Sequence, residues 1–212
     1  LPDNIFIVPS YDSSVFIEQS ISEVYNTLGI AMLLVVVVIY LFLGNVSATL
    51  IPAVTVPVSL IAAFIVMLAL GFSINLLTLL AMVLAIGLVV DDAIVVLENI
   101  HRRIEMGEPA ILAAYRGTRE VGFAVVATTL VLISVFVPLV FLEGNVGRLF
   151  TEFALAIAAA VAFSSVTALT LSPMLGSILL KKSERSGFGN WLDNSFKKLE
   201  GGYFNSLGKT IH

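Results

Sequence analysis

The sequence has no cysteine, which excludes a disulfide framework, a thiolate metal site and a cysteine nucleophile. Charge is nearly as scarce. Lys, Arg, Asp and Glu together make up 12% of the 212 residues, and no Lys, Arg or His falls inside a long apolar stretch. The two histidines, His101 and His212, have no metal-ligand spacing around them, so no metal site is expected, and both are expected in solvated connections or tail. No glycine-rich phosphate-cradling loop is present, which argues against nucleotide use by this chain. The chain opens at Leu1 without a methionine, a basic start or a cleavage site, and is expected to be part of a larger protein.

What remains is hydrophobic: 58% of the residues, with a mean hydropathy of +1.04, far from the composition of a water-soluble domain. A helix needs about 20 apolar residues to cross a hydrocarbon layer about 30 Å thick. Five stretches approach or exceed that length, at 26–43, 49–70, 76–100, 121–142 and 153–180. The expected fold is therefore an all-α membrane protein, a bundle of about five transmembrane helices. Pro52 and Pro57 fall in the second stretch and Pro173 in the fifth; in a membrane, neighbouring helices can satisfy the carbonyls that proline frees. Short connections at 44–48 and 71–75 make successive spans antiparallel, and longer ones are expected at 101–120 and 142–152. Gly107-Glu-Pro109 marks a break there, followed by a short helix. Asn75 and Ser73 are expected to cap the third span. No internal repeat is visible.

The basic residues are unevenly placed. Arg102, Arg103, Arg116 and Arg119 lie between the third and fourth spans, and Lys181, Lys182, Arg185, Lys197, Lys198 and Lys209 follow the fifth. In an alternating zigzag those two regions share one side, and Arg148 alone lies on the other. The positive-inside rule puts the basic side, with the C-terminal tail, in the cytoplasm and the N-terminal segment outside. Residues 5–8 read as a short strand whose partners lie elsewhere. Residues 188–204 place Trp191, Leu192, Phe196 and Leu199 at helical spacing opposite Lys197 and Lys198, which suits either a helix in the membrane interface or a solvated linker helix.

One span carries acids: Gly87-Leu-Val-Val-Asp91-Asp92-Ala-Ile-Val-Val-Leu-Glu98-Asn99. Counted from Leu76, Asp91 lies roughly 22 Å along the helix, past the midplane yet still in apolar surroundings. A charge there costs at least ~2.5 kcal/mol, and two adjacent charges also repel. Both acids can be protonated, they can share a proton, or a cation from another helix can neutralise them. In the first two cases the titration belongs to the pair rather than to either residue. Groups that load and release protons within a membrane are the chemistry of a proton relay, so Asp91 and Asp92 are the candidate site. Gly87, four residues before Asp91 on the same face, lets another helix come close as packing support. Glu98 and Asn99 read as interfacial. The structural alternative is that the aspartates face a water-filled vestibule or pair statically with a neighbour. An intramembrane aspartyl protease is disfavoured because adjacent residues on one helix point about 100° apart.

The run from Gly71 to Asn75 and on through Met82-Val-Leu-Ala-Ile-Gly-Leu-Val-Val-Asp91-Asp92-Ala-Ile-Val-Val-Leu-Glu98-Asn99 closely resembles the fourth transmembrane helix of resistance-nodulation-division efflux pumps, in the hydrophobe and amphiphile exporter branch. Tyr40-Leu-Phe-Leu-Gly-Asn45, Ala48-Thr-Leu-Ile-Pro52, Val135-Phe-Val-Pro138 and Leu171-Ser-Pro173 resemble the family's second, third, fifth and sixth helices. The resemblance implies part of a twelve-helix proton antiporter of the bacterial inner membrane, not an enzyme. It would use no cofactor, draw on the proton motive force and confer multidrug resistance. Residues 1–25 would end a periplasmic porter segment, 26–182 form transmembrane helices two to six, and 183–212 form a cytoplasmic helix before the next span. Asp91 and Asp92 would face a lysine of the tenth helix, which this chain lacks, so alone it is expected to transport nothing. The implied partners are the lipid bilayer, the rest of the transporter, two further copies in a homotrimer, a periplasmic adaptor and an outer-membrane channel, with no nucleic acid. A relative devoted to lipid or protein export is the alternative. The turn at 44–48 departs from the family in having no basic residue.

Overall fold

The computed structural model describes residues 13–180, the side chains of 13–17 and 42–43 excepted. Five long helices follow one another: α1 (Ser13–Leu43), α2 (Val46–Ala69), α3 (Leu76–Glu105), α4 (Ala110–Phe136) and α5 (Gly144–Leu179). A 3-10 segment at Val137–Phe141, with Pro138 at its start, closes α4. All five are long and apolar enough to cross a membrane, and the described residues contain no strand, in keeping with an all-α bundle. The strand expected at 5–8 and the helix at 188–204 lie outside the described residues.

Helix is the outcome even where the side chains favour strand. Val35-Val-Val-Val-Ile39 is a β-branched run that would suit a sheet in water, yet it lies in the middle of α1. A helix closes all its backbone hydrogen bonds within one segment, which hydrocarbon requires. For the same reason α2 runs unbroken through Pro52 and Pro57, and α5 through Pro173.

The turns are made by specific chemistry. At the end of α2, Phe72 N donates to Met67 O and Gly71 N to Leu68 O, a Schellman closure that needs the positive φ of Gly71. The end of α3 repeats it, with Glu108 N to Arg103 O, Gly107 N to Ile104 O and Gly107 at φ +98. Pro109 then blocks continuation. Asn75 opens α3 through a capping box with Thr78. Ser73 does not cap; its hydroxyl accepts from Asn75 Nδ2 and donates to Glu152.

Two connections are shorter than their hydropathy suggests. The expected loop at 142–152 is mostly the start of α5, and 101–120 is mostly the end of α3 and the start of α4, so the break at Gly107 leads into one continuous helix and not a short separate one. Hydropathy reports only the part of a helix that meets lipid. Capping decides where the helix stops. At 36 residues, α5 is about 54 Å long, well beyond the hydrocarbon thickness.

Helix α5 is the axis of the bundle, packing against α2, α3 and α4, while α1 leans on α2 and α3. Its buried face is built of small residues, among them Ala154, Ala156, Ala160, Ser164, Ala168, Ser172 and Gly176, which let helices approach closely without large side chains between them. Three contacts fix α5 parallel to α3 in steady register. Asn75 meets Glu152 at one end, Val89 meets Ser164 in the middle, and Ile100 lies against Gly176 at the other end.

Such a face has no room for larger side chains. Ala160→Leu, at a position with no exposed surface, is expected to destabilise the bundle by about 1–3 kcal/mol. Leu68→Met, at a position 79% exposed on α2, is expected to change little. Thermal unfolding of the detergent-solubilised protein, read as the loss of its monodisperse peak, checks both.

Candidate functional site

Asp91 and Asp92 sit just past the middle of α3, and the helical rotation of about 100° between neighbours gives them different surroundings. Asp91 is exposed and faces a cavity of about 560 Å³ between α3 and α4. Asp92 also reaches that cavity but is turned into the packing, with 7% of its surface exposed. Gly87, Leu88 and the two acids form the α3 wall; Thr128 and Val131 stand opposite on α4. Gly87 is exposed, and a side chain added there would meet nothing within 4 Å, so no described helix uses the space it leaves.

The Asp92 carboxyl has an unusual hydrogen-bond position. Ser and Thr hydroxyls carry a proton and can return it to a carbonyl of their own helix, as Thr128 does to Val125 O at 2.9 Å and the buried Thr129 to Val125 O at 2.8 Å. An ionised carboxylate has only acceptors, and the N–H groups of a helix interior are already paired, so it must find its donor elsewhere. Ser164 of α5 stands beside Asp92, but its hydroxyl donates to Val89 O at 2.8 Å. Asp92 Oδ2 is buried with no hydrogen-bond partner among the described residues. Leaving a buried acceptor unpaired costs about 1–3 kcal/mol, and more when it is charged. The ion pairs among the described residues all lie beyond residue 100, where α3 ends and α4 begins, and none includes Asp91 or Asp92.

Ser164 belongs to a line of hydroxyls that reading the sequence did not single out. Ser59 of α2 and Thr167 of α5 pair at 2.7 Å, Thr167 donates to Ser164 O at 2.9 Å, and Ser164 reaches α3 at Val89. The hint in the sequence is the polar pair Ser164-Ser165 with Thr167 three residues after Ser164, inside an apolar run.

A second polar cluster closes the α3/α4 turn. Arg103 pairs with Glu108 and Glu120, both at 3.0 Å, and Arg116 lies 3.4 Å from Glu108. Asn99 is buried and bonds to Gly117 O and Glu120; Glu98 beside it is exposed. His101 is not in a solvated loop. It lies on α3, 7% exposed, with Nε2 3.3 Å from Glu105. It stands eight and four residues after Ala93 and Leu97, both buried, so helical phase carries it inward. His212 lies outside the described residues.

The model of the AcrB/AcrD/AcrF family matches residues 1–212. A protein of Haemophilus influenzae (strain ATCC 51907 / DSM 11121 / KW20 / Rd), called an uncharacterized transporter, is 51% identical over 185 residues, covering 87% of this chain. The chain spans 18% of that relative's length. The chain therefore belongs to the AcrB/AcrD/AcrF family, within the resistance-nodulation-division transporters, and forms part of such a transporter's membrane region.

Proposed function

We propose that this chain is part of the proton-translocating membrane domain of an inner-membrane efflux pump, a secondary active transporter in which proton entry drives export of drugs or other amphiphiles. The observation that carries the reading is the aspartate pair. Asp91 opens onto a cavity between two helices, and Asp92 is buried beside it with an oxygen that no described residue pairs. In the ionised state the pair attracts a cation into that cavity. Protonation removes the attraction, and the helices around the cavity repack. The cation is a lysine on a helix of the remaining transporter, entering where Gly87 leaves the α3 surface free. Membership of a transporter family weighs against a peptidase.

The wider assembly follows the family. The pump works as a homotrimer with a periplasmic adaptor and an outer-membrane channel, and its substrate pockets lie in porter domains beyond this chain. The α3/α4 turn, with Arg102, Arg103, Arg116 and Arg119, faces the cytoplasm together with the basic tail, and the α2/α3 turn faces the periplasm.

Two measurements test these assignments. Asp91→Asn and Asp92→Asn in the whole transporter are each expected to raise accumulation of a lipophilic fluorescent dye in efflux-deficient cells to the level without a pump, at unchanged protein level. Normal export by both variants would make the pair structural. For orientation, alkaline phosphatase fused after Gly107 is expected to be inactive and the same enzyme fused after Gly71 active. The opposite pattern would reverse the topology.

A further inference from the structure

We propose that Asn99 is a positioning residue for the aspartate pair, pinning α3 to α4 at the closed end of a fork whose open end is the cavity beside Asp91 and Asp92. The inference rests on reading the pair as a proton site, and it adds a residue that touches neither the acids nor the cavity.

Asn99 follows Asp92 by seven residues, two helical turns or about 10.5 Å, and lies within about 20° of the same helix face. It is 7% exposed, and its amide is used at both ends. Nδ2 donates to Gly117 O at 2.8 Å and to Glu120 Oε2 at 2.9 Å, while Oδ1 accepts from Arg102 Nη2 at 2.7 Å. At this level the two backbones touch: a Cβ on Gly117 would lie 3.1 Å from the Ile100 side chain and 3.2 Å from its Cα and N. Glu120 also holds Arg103 at 3.0 Å, so one carboxylate ties two turns of α3 to α4. From this crossing the helices separate, and where α3 reaches Gly87 and Asp91 the gap to Thr128 and Val131 is wide enough for the cavity.

A fork of this kind converts small changes at the pin into displacement at the acids. A tilt of about 10° at Asn99 moves the Asp92 turn sideways by about 2 Å over that lever arm. A working constellation of polar groups has to be held to within about 0.5 Å. Buried asparagine suits the pin because it donates and accepts at once, so a carbonyl, a carboxylate and a guanidinium all meet on one side chain.

The test uses the whole transporter in its membrane, with Thr128→Cys as a reporter in the cavity; this chain has no other cysteine. Asn99→Ala is expected to raise the rate of modification of that cysteine by a water-soluble maleimide about two- to thirtyfold, the range for residues that modulate coupling without touching a ligand. Dye export should fall at an unchanged membrane level. Asn99→Asp, which sets a carboxylate against both Glu120 and Gly117 O, should act likewise, and adding Glu120→Gln should bring the rate part of the way back by reversing donor and acceptor at residue 120 alone. An unchanged rate in Asn99→Ala, or a double variant as fast as Asn99→Asp alone, overturns the proposal. If Asn99→Ala does not insert, Glu120→Ala, at an exposed position, replaces it: a faster rate supports the pin and an unchanged one refutes it. Because the cysteine readout needs no transport, normal export by Asp91→Asn and Asp92→Asn would remove the proton reading without touching this result.

Discussion

In hydrocarbon no water is available to pair with a backbone amide, so each segment has to satisfy its own N–H and C=O groups before it can be placed at all. Most of the architecture descends from that requirement. It makes a helix of the valine run in α1 and carries α2 through two prolines. It also confines the positive-φ glycines at 71 and 107 to the turns, where their backbone N–H groups close the last carbonyls of α2 and α3. Several hydroxyl side chains obey the same rule. Thr128, Thr129, Thr170 and Ser177 all donate back to their own helix, which lets polar residues lie in apolar helices without needing a partner across the bundle.

Once each helix is closed on itself, the hydrophobic effect gives little help in bringing helices together, since lipid is as apolar as leucine. Close fit has to replace it. Helix α5 supplies that fit with a face of alanine, serine and glycine against α2, α3 and α4, and its parallel register with α3 is read by three spaced contacts. Helix α1, bulky and mostly exposed, has no such face and contacts the bundle on one side only. The position of Asp92 is thus tied to the packed face of α3, which it shares with the buried Ala81 and Ala85, and Asp91 is turned about 100° away from it.

How much of this was legible in the sequence depends on which physical signal each feature leaves. The five helices were legible because apolar length is a direct requirement of the membrane, and Asn75 because capping chemistry is local. The helix ends at Glu105 and Gly144 were not, since hydropathy fades before the helix does. His101 looked like a loop residue by type, and only its phase with Ala93 and Leu97 places it inside. Asn99 was legible as polar but not as buried: its partners Gly117 and Glu120 come from a helix whose approach depends on Gly117, a glycine with no local mark to distinguish it from any other. Ser164 needed the register of α5 on α3, which no single-helix pattern contains.

The adjacency of the two acids has a consequence of its own. Neighbours on a helix point about 100° apart, so a pair at positions 91 and 92 can lie across the boundary between cavity and packed interior, which a pair at i and i+4 on one face would not do. Asp91 is on the cavity side of that boundary and Asp92 is turned inward next to Ser164. Ser164 cannot serve both Val89 O and the carboxylate with its one proton, and its present bond goes to Val89. On the proposed reading, a cation entering the cavity meets Asp91 first and reaches Asp92 only by coming between α3 and α4. The charge on the inner acid is therefore felt by both helices, and the tightness of the α3/α4 fork governs how strongly.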